Sequence, residues 1–195
     1  MCTREGGLTL IEMIVFILVV SIGLTGVLLL MNKTTSRSSD PLVRKQALAI
    51  AEGLLEEVQL MPFTYCDADD AHVATAQAAT VNASDPAQCA SSADAIGPES
   101  GETRYSVSTP LDHVDDYDGF DTATATPSGV RDITNSQTGP AGYAATVRVQ
   151  QLALGNAGFT VPAAGALLVT VSVTGPGNES VRLQGYRTRY APRSP

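Results

Sequence analysis

The chain has 195 residues, 16% of them charged, and a formal net charge of −8. That length fits one long helix with one compact domain and leaves little room for two full domains. Twelve Lys and Arg against 20 Asp and Glu argue against nucleic acid as the main partner, because phosphate binding needs clustered cations. With no Trp and 5% aromatic residues, the core must come from Val, Leu, Ala and Ile.

From Leu8 to Met31 the chain reads LTLIEMIVFILVVSIGLTGVLLLM, and only Thr9, Glu12, Ser21 and Thr25 of these 24 residues are polar. As a helix rising ~1.5 Å per residue, the run spans about 36 Å, enough for a hydrocarbon layer of ~30 Å. A cleaved secretory signal has an apolar region of about 7–15 residues and a small-x-small site at its end. This run is longer and passes into LLLMNKTTS, which has no such site. A plain membrane anchor explains the length but not Glu12, since an acidic residue at the centre of a membrane helix costs ~2.5–3.5 kcal/mol. A cut between Gly7 and Leu8 would make Glu12 the fifth residue of the new chain. It would also create an α-amino cation one helical turn from that carboxylate, or within reach of a neighbouring copy's. Either charge alone is costly in an apolar assembly, and the two together cancel.

The stretch GG followed by LTLIEMIVFI resembles the signature of the type IV prepilins: a short leader ending in Gly7, then Leu8, Thr9, Leu10, Ile11 and Glu12. The resemblance implies that a membrane prepilin peptidase cuts between Gly7 and Leu8 and methylates the new N-terminal Leu8. It implies that Glu12 guides docking of the subunit into a filament. It further implies inner-membrane insertion as a single pass with the head in the periplasm, contact with an assembly platform, and a final place in a pilus. Leu8 departs from the Phe that most often begins the mature chain in that family. Charge bias alone points the other way. Arg4 is offset by Glu5 on the leader side, whereas Lys33, Arg37, Arg44 and Lys45 follow the apolar run, and positive flanks favour the cytoplasm.

The expected organisation is a leader over 1–7, a membrane or filament-core helix over 8–31, an amphipathic stem helix over 32–62 and a globular head over 63–195. Asp40-Pro41 is a good helix start, with Asp as cap and Pro in the first turn; alternatively one helix runs through and Pro41 lies inside it. Ala47, Ile50, Ala51, Leu54, Leu55, Val58 and Met61 recur at helical spacing, with Glu52, Glu56 and Glu57 mostly off that stripe. Pro62 ends the pattern.

Residues 64–102 are rich in Ala, Ser and Asp and read as a long loop. If the run spans a membrane, Cys66 and Cys89 lie on the side opposite Cys2. In an oxidising compartment the two pair as a disulfide worth roughly 3 kcal/mol by chain entropy; otherwise they are two buried thiols. Strand patterns follow at 103–109, 143–154, 166–175 and 181–190, with a hairpin-like GPGNES between the last two. Ala145, Val147 and Val149 share a face, as do Leu167, Val169, Val171 and Val173. A bulge at Gly185 would turn Val181, Leu183, Tyr186 and Tyr190 inward and leave Arg187 and Arg189 in water. The fold class expected is α+β: a long helix packed on an antiparallel sheet of about four strands.

DHVDDYDGFD (112–121) has the oxygen-rich look of a calcium loop but fails the EF-hand template. Counting back from Gly119 puts Val114 where a ligand is needed, and position 125 is Ala rather than Glu. The plainer reading is a solvated turn anchored by Tyr117 and Phe120. DADD (67–70) is a weaker signal still. His72 and His113 are the only histidines, which argues against a His-rich zinc site. No metal and no cofactor is assigned. The sequence has no GxSxG, Walker or CxxC motif, so no enzyme is expected; the chain reads as a substrate of the prepilin peptidase. Arg182, Arg187, Arg189 and Arg193 raise a local basic patch, and with it DNA uptake, against the acidic total.

DPLVRKQALAIAEGLLEEVQLMPFTYCD, VDDYDGF and GYRTRYAP resemble, more narrowly, the minor pilins of the mannose-sensitive haemagglutinin (MSHA) pilus. That likeness implies a low-abundance subunit partnered by other pilins in filament assembly and surface attachment. A type II secretion minor pseudopilin, which shares the N-terminal signature, is the alternative.

Overall fold

A long apolar run followed by a stripe at three- and four-residue spacing can satisfy its backbone only as helix, and the chain obeys that rule without a break. The computed structural model describes residues 9–156 and 158–190, with backbone alone for 32–40. Helix α1 covers Leu10–Leu60, and Pro41 lies inside it. The restart at Asp40-Pro41 therefore does not occur; helix continues on both sides of the proline. The chain divides into two compact units, Met1–Leu42 and Val43–Pro195.

In the first unit, the described apolar side chains from Leu10 to Met31 are all exposed. In the second, the stripe predicted from 42 to 61 is the buried face of α1. Ala47, Ala51, Leu54 and Val58 are buried, and Ile50, Leu55 and Met61 pack around them.

The partner of that stripe is a three-stranded antiparallel sheet. Strands β1 (Ala144–Gln151), β4 (Ala166–Thr174) and β5 (Ser180–Thr188) lie in the order β1-β4-β5. A separate short hairpin pairs β2 (Leu154–Asn156) with β3 (Phe159–Val161). The register sets three rows of apolar residues on the inner face: Ala145-Val173-Val181, Val147-Val171-Leu183 and Val149-Val169-Gly185. Period-two alternation of Val, Leu and Ala thus becomes one wall of the core. Fully burying each Val or Leu of these rows is worth about 1.5–3 kcal/mol, and Ala less.

The outer edge of β1 is not left open. Gly119 N–H donates to Val147 O, Val147 N–H donates to Phe120 O, and Thr122 N–H donates to Ala145 O. The Asp118 carboxylate accepts from Val149 N–H at 2.9 Å and the Thr122 hydroxyl from Ala145 N–H at 2.8 Å. The segment after the acidic turn therefore caps the sheet edge.

Three expectations need correction. Residues 103–109 form turns rather than a strand, closed by Thr103 N–H to Thr109 O and Ser106 N–H to Thr103 O. Val107, which the alternation would have buried, is fully exposed. Pairing of β4 with β5 runs unbroken through Val169-Gly185, so Gly185 is no bulge. Side-chain parity is kept in consequence: Arg187 turns inward, while Tyr186 and Tyr190 are exposed. Gly185 instead lies under α1, where a Cβ would displace the Gln59 side chain and touch Leu55 Cδ1. Gly185→Val should therefore destabilise the protein by about 1–3 kcal/mol, the usual cost of overpacking, as read by denaturant unfolding.

Candidate functional site

The N-terminal segment has little polar chemistry. Leu10–Met31 is a helical stretch of 22 residues, long and apolar enough to cross a membrane by length and composition. Thr9 O accepts from Glu12 N–H and Met13 N–H at 3.1 and 3.2 Å, which starts the helix. Thr9 and Glu12 have capping-box spacing, and the carboxylate of Glu12 sits in the first turn, where the helix dipole favours it. Further along, the Ser21 hydroxyl donates to Ile17 O and the Thr25 hydroxyl to Ser21 O, each at 2.7 Å. Both hydroxyls are thus satisfied inside the helix. Glu12 is exposed, and among the described residues it forms no ion pair. Gly7 and Leu8, the expected cut, and Cys2 lie outside the described residues.

In the second unit, Cys66 and Cys89 form the disulfide across a sequence separation of 23. The loop it closes is organised around a carboxylate. Asp70, almost fully buried, accepts from His72, Ala90, Ser91 and Ser92 N–H and from the Ser91 hydroxyl, at 2.7–3.0 Å. Burial alone would raise its pKa, but the four backbone donors outweigh burial and hold the carboxyl well below the usual range. The acidic DADD stretch is therefore a structural knot, with Asp70 tying the two ends of the disulfide loop.

A second carboxylate joins α1 to the loops. Glu57 receives Arg104 Nε and Nη2 as a fork, both at 2.6 Å, and the Tyr117 hydroxyl at 2.8 Å. Arg104 also donates to Arg131 O and lies over the Tyr105 and Phe120 rings. The pair is nearly dry, with side-chain exposures of 4% for Arg104 and 14% for Glu57. Burial disfavours the charge on Arg104, yet the fork from Glu57 raises its pKa, since paired charges stabilise one another.

The third cluster is less complete. The turn Asp115–Tyr117 and the residues before it bring Asp112, His113, Asp115 and Asp116 together, and the segment after Cys89, tied by Asp94 N–H to Tyr65 O, brings Asp94 beside them. One donor atom each from Asp94, His113 and Asp115 lies within 4.8 Å of the others; the same holds for Asp112, His113 and Asp116, and for Glu99, Glu102 and Asp116. Asp116 Oδ2 accepts from Asp112 N–H and His113 N–H. Asp94 Oδ2 faces Arg189 Nη2 at 3.4 Å. The Oδ1 atoms of Asp94, Asp112, Asp115 and Asp116 are all buried without a hydrogen-bond partner. Burial raises the pKa of each, Asp116 to about 7, Asp112 to about 6, and Asp94 and Asp115 upward; Asp115 adds to the rise at Asp94, whereas the Asp94 carboxyl offsets part of the rise at Asp115 by hydrogen bonding. Burial also holds His113 down at about 4.

No protein family, curated protein or solved structure matches the chain.

Sequence reasoning identified the disulfide and the anchoring aromatics Tyr117 and Phe120, but it read the acidic turn as solvated, whereas His113, Asp115 and Asp116 are buried. It missed Asp94, which lies 19 positions before His113 in the segment that follows Cys89. It also misplaced two arginines. Arg189 stacks over Phe63 and Tyr65 and faces Asp94, and Arg187 Nη2 donates to Met61 O, so neither contributes to a basic surface.

Arg104→Met should cost about 3–5 kcal/mol in denaturant unfolding, because it strands a buried carboxylate. The double variant Glu57→Leu/Arg104→Met should recover much of that loss. For Asp70 the folded pKa lies below the unfolded one, so its contribution is present above about pH 4 and lost as pH falls through the folded value. Asp70→Asn should lower stability at pH 7 and flatten the acid limb of a stability–pH curve relative to the native protein.

Proposed function

We propose that the chain is a subunit of a type IV pilus-like filament, held in the inner membrane as a single-pass precursor before assembly. The observation that carries this reading is Glu12. It is the sole ionisable group in an exposed apolar helix of 22 residues, five positions beyond Gly7. A helix that closes its hydroxyls on itself and keeps one carboxylate at its N-terminal turn suits an assembly in which that carboxylate meets an amine. Prepilin peptidase would cut between Gly7 and Leu8 and methylate Leu8, supplying the amine. The α+β head, with helix packed on an antiparallel sheet and loops tied by Cys66–Cys89, is compatible with this role.

Within that class, the stem, the VDDYDGF turn and GYRTRYAP favour a minor subunit similar to the MSHA minor pilin MshD. It would act with other pilins and the inner-membrane platform in filament assembly and surface attachment.

Mass spectrometry of the mature protein should find Leu8 at the N-terminus carrying one methyl group; an intact Met1 in assembled material would overturn the reading. Glu12→Ala should leave the membrane level unchanged and reduce incorporation into sheared filaments by at least tenfold. Normal incorporation of that variant would instead favour a static membrane-anchored binding module.

A further inference from the structure

We propose that the side-chain cluster of Asp112, His113 and Asp116 binds one divalent transition-metal ion, with zinc or manganese preferred to calcium. The argument begins with a proton. The Thr64 hydroxyl lies 2.5 Å from Cys66 O and 2.7 Å from His113 Nε2. A carbonyl only accepts and a hydroxyl has one hydrogen, so both bonds form only if Thr64 donates to Cys66 and His113 Nε2–H donates to Thr64. In the neutral ring, Nδ1 then carries a lone pair.

That lone pair faces oxygens rather than donors. Asp94 Oδ1 lies at 3.6 Å and Asp112 Oδ1 at 4.0 Å, and both atoms are buried without a hydrogen-bond partner. Asp116 Oδ1 is a third such atom, on a residue 1% exposed, while its Oδ2 is held by two backbone N–H groups that fix the carboxylate. One ligand atom each from Asp112, His113 and Asp116 lies within 4.8 Å of the others, and oxygens crowded this closely need a cation or a proton among them.

On the Asp94 side Arg189 already supplies a cation. On the other side, among the described residues, no Lys or Arg pairs with Asp112 or Asp116, so the ion is assigned there. One imidazole nitrogen with carboxylate oxygens suits borderline divalent ions, whereas calcium takes oxygen ligands alone. Thr64 then has the place of the outer partner that orients a metal-bound histidine through its second nitrogen. Asp112, whose side chain is 29% exposed, gives the ion a route in from solvent.

The test uses the full chain in detergent, stripped with chelator, and inorganic zinc as the probe. Calorimetric titration should find one zinc per chain, and the thermal midpoint should rise by several degrees with zinc and less with calcium at equal concentration. Asp112→Asn and His113→Gln should each weaken zinc binding at least tenfold, while His72→Gln, at the other histidine, should leave it unchanged. Asp112→Asn should also be more stable than the native chain in chelator and less stable in zinc, a reversal that a purely structural carboxylate would not give. A native chain that is folded by circular dichroism yet shows no zinc-dependent shift overturns the proposal. So does undiminished binding by both variants, loss of binding in His72→Gln, or a calcium shift as large as that of zinc.

Discussion

A carboxylate taken out of water must be met by a hydrogen-bond donor, a cation or a proton, and this chain is arranged around several that are. Asp70 is met by backbone N–H groups and thereby holds a loop of little regular structure around Cys66–Cys89. Glu57 is met by Arg104 and Tyr117, which fastens α1 to segments 47 and 60 positions away in sequence. Asp118 is met by Val149 N–H and so closes the free edge of β1. Each of these interactions does what a larger apolar core does elsewhere. With few aromatics and no Trp, the protein has a thin core of Val, Leu and Ala, and its loops are positioned mainly by charge and hydrogen bonding.

The parts legible in sequence are those whose physics is local. The stripe from Ala47 to Met61 repeats at helical spacing, and β1, β4 and β5 alternate in ways only a half-buried strand explains. The parts that were not legible depend on partners far away. TRYSVST alternates like a strand, but Arg104 reaches Glu57 and the segment closes on itself in turns. Gly185 looks like a bulge until Leu55 and Gln59 of α1 are seen above it. Hairpin β2–β3 was overlooked because each strand is three residues long, too short to show a period. Tertiary demand also reversed the usual placement of side-chain types at the end of β5, where arginines go inward and tyrosines outward.

The same division holds for the acidic turn. Its composition suggested oxygen ligands, and comparison with a contiguous twelve-residue loop set that template aside. What the comparison could not supply was Asp94, from beyond the disulfide, or Thr64, whose hydroxyl sets the tautomer of His113. The three proposed ligands lie within one turn, but the contacts that orient them come from the stem's end and from the segment after Cys89, with no fixed spacing to search for.

The hydroxyls of Ser21 and Thr25 have a final consequence. Because each is bonded to a carbonyl of its own helix, the segment has nearly the same hydrogen-bond inventory in lipid, in detergent or against another protein. Transfer between those solvents is therefore almost neutral for every polar side chain between Leu10 and Met31 except that of Glu12. The free energy of changing surroundings is concentrated in that one group, which makes a largely featureless apolar helix selective about where it settles.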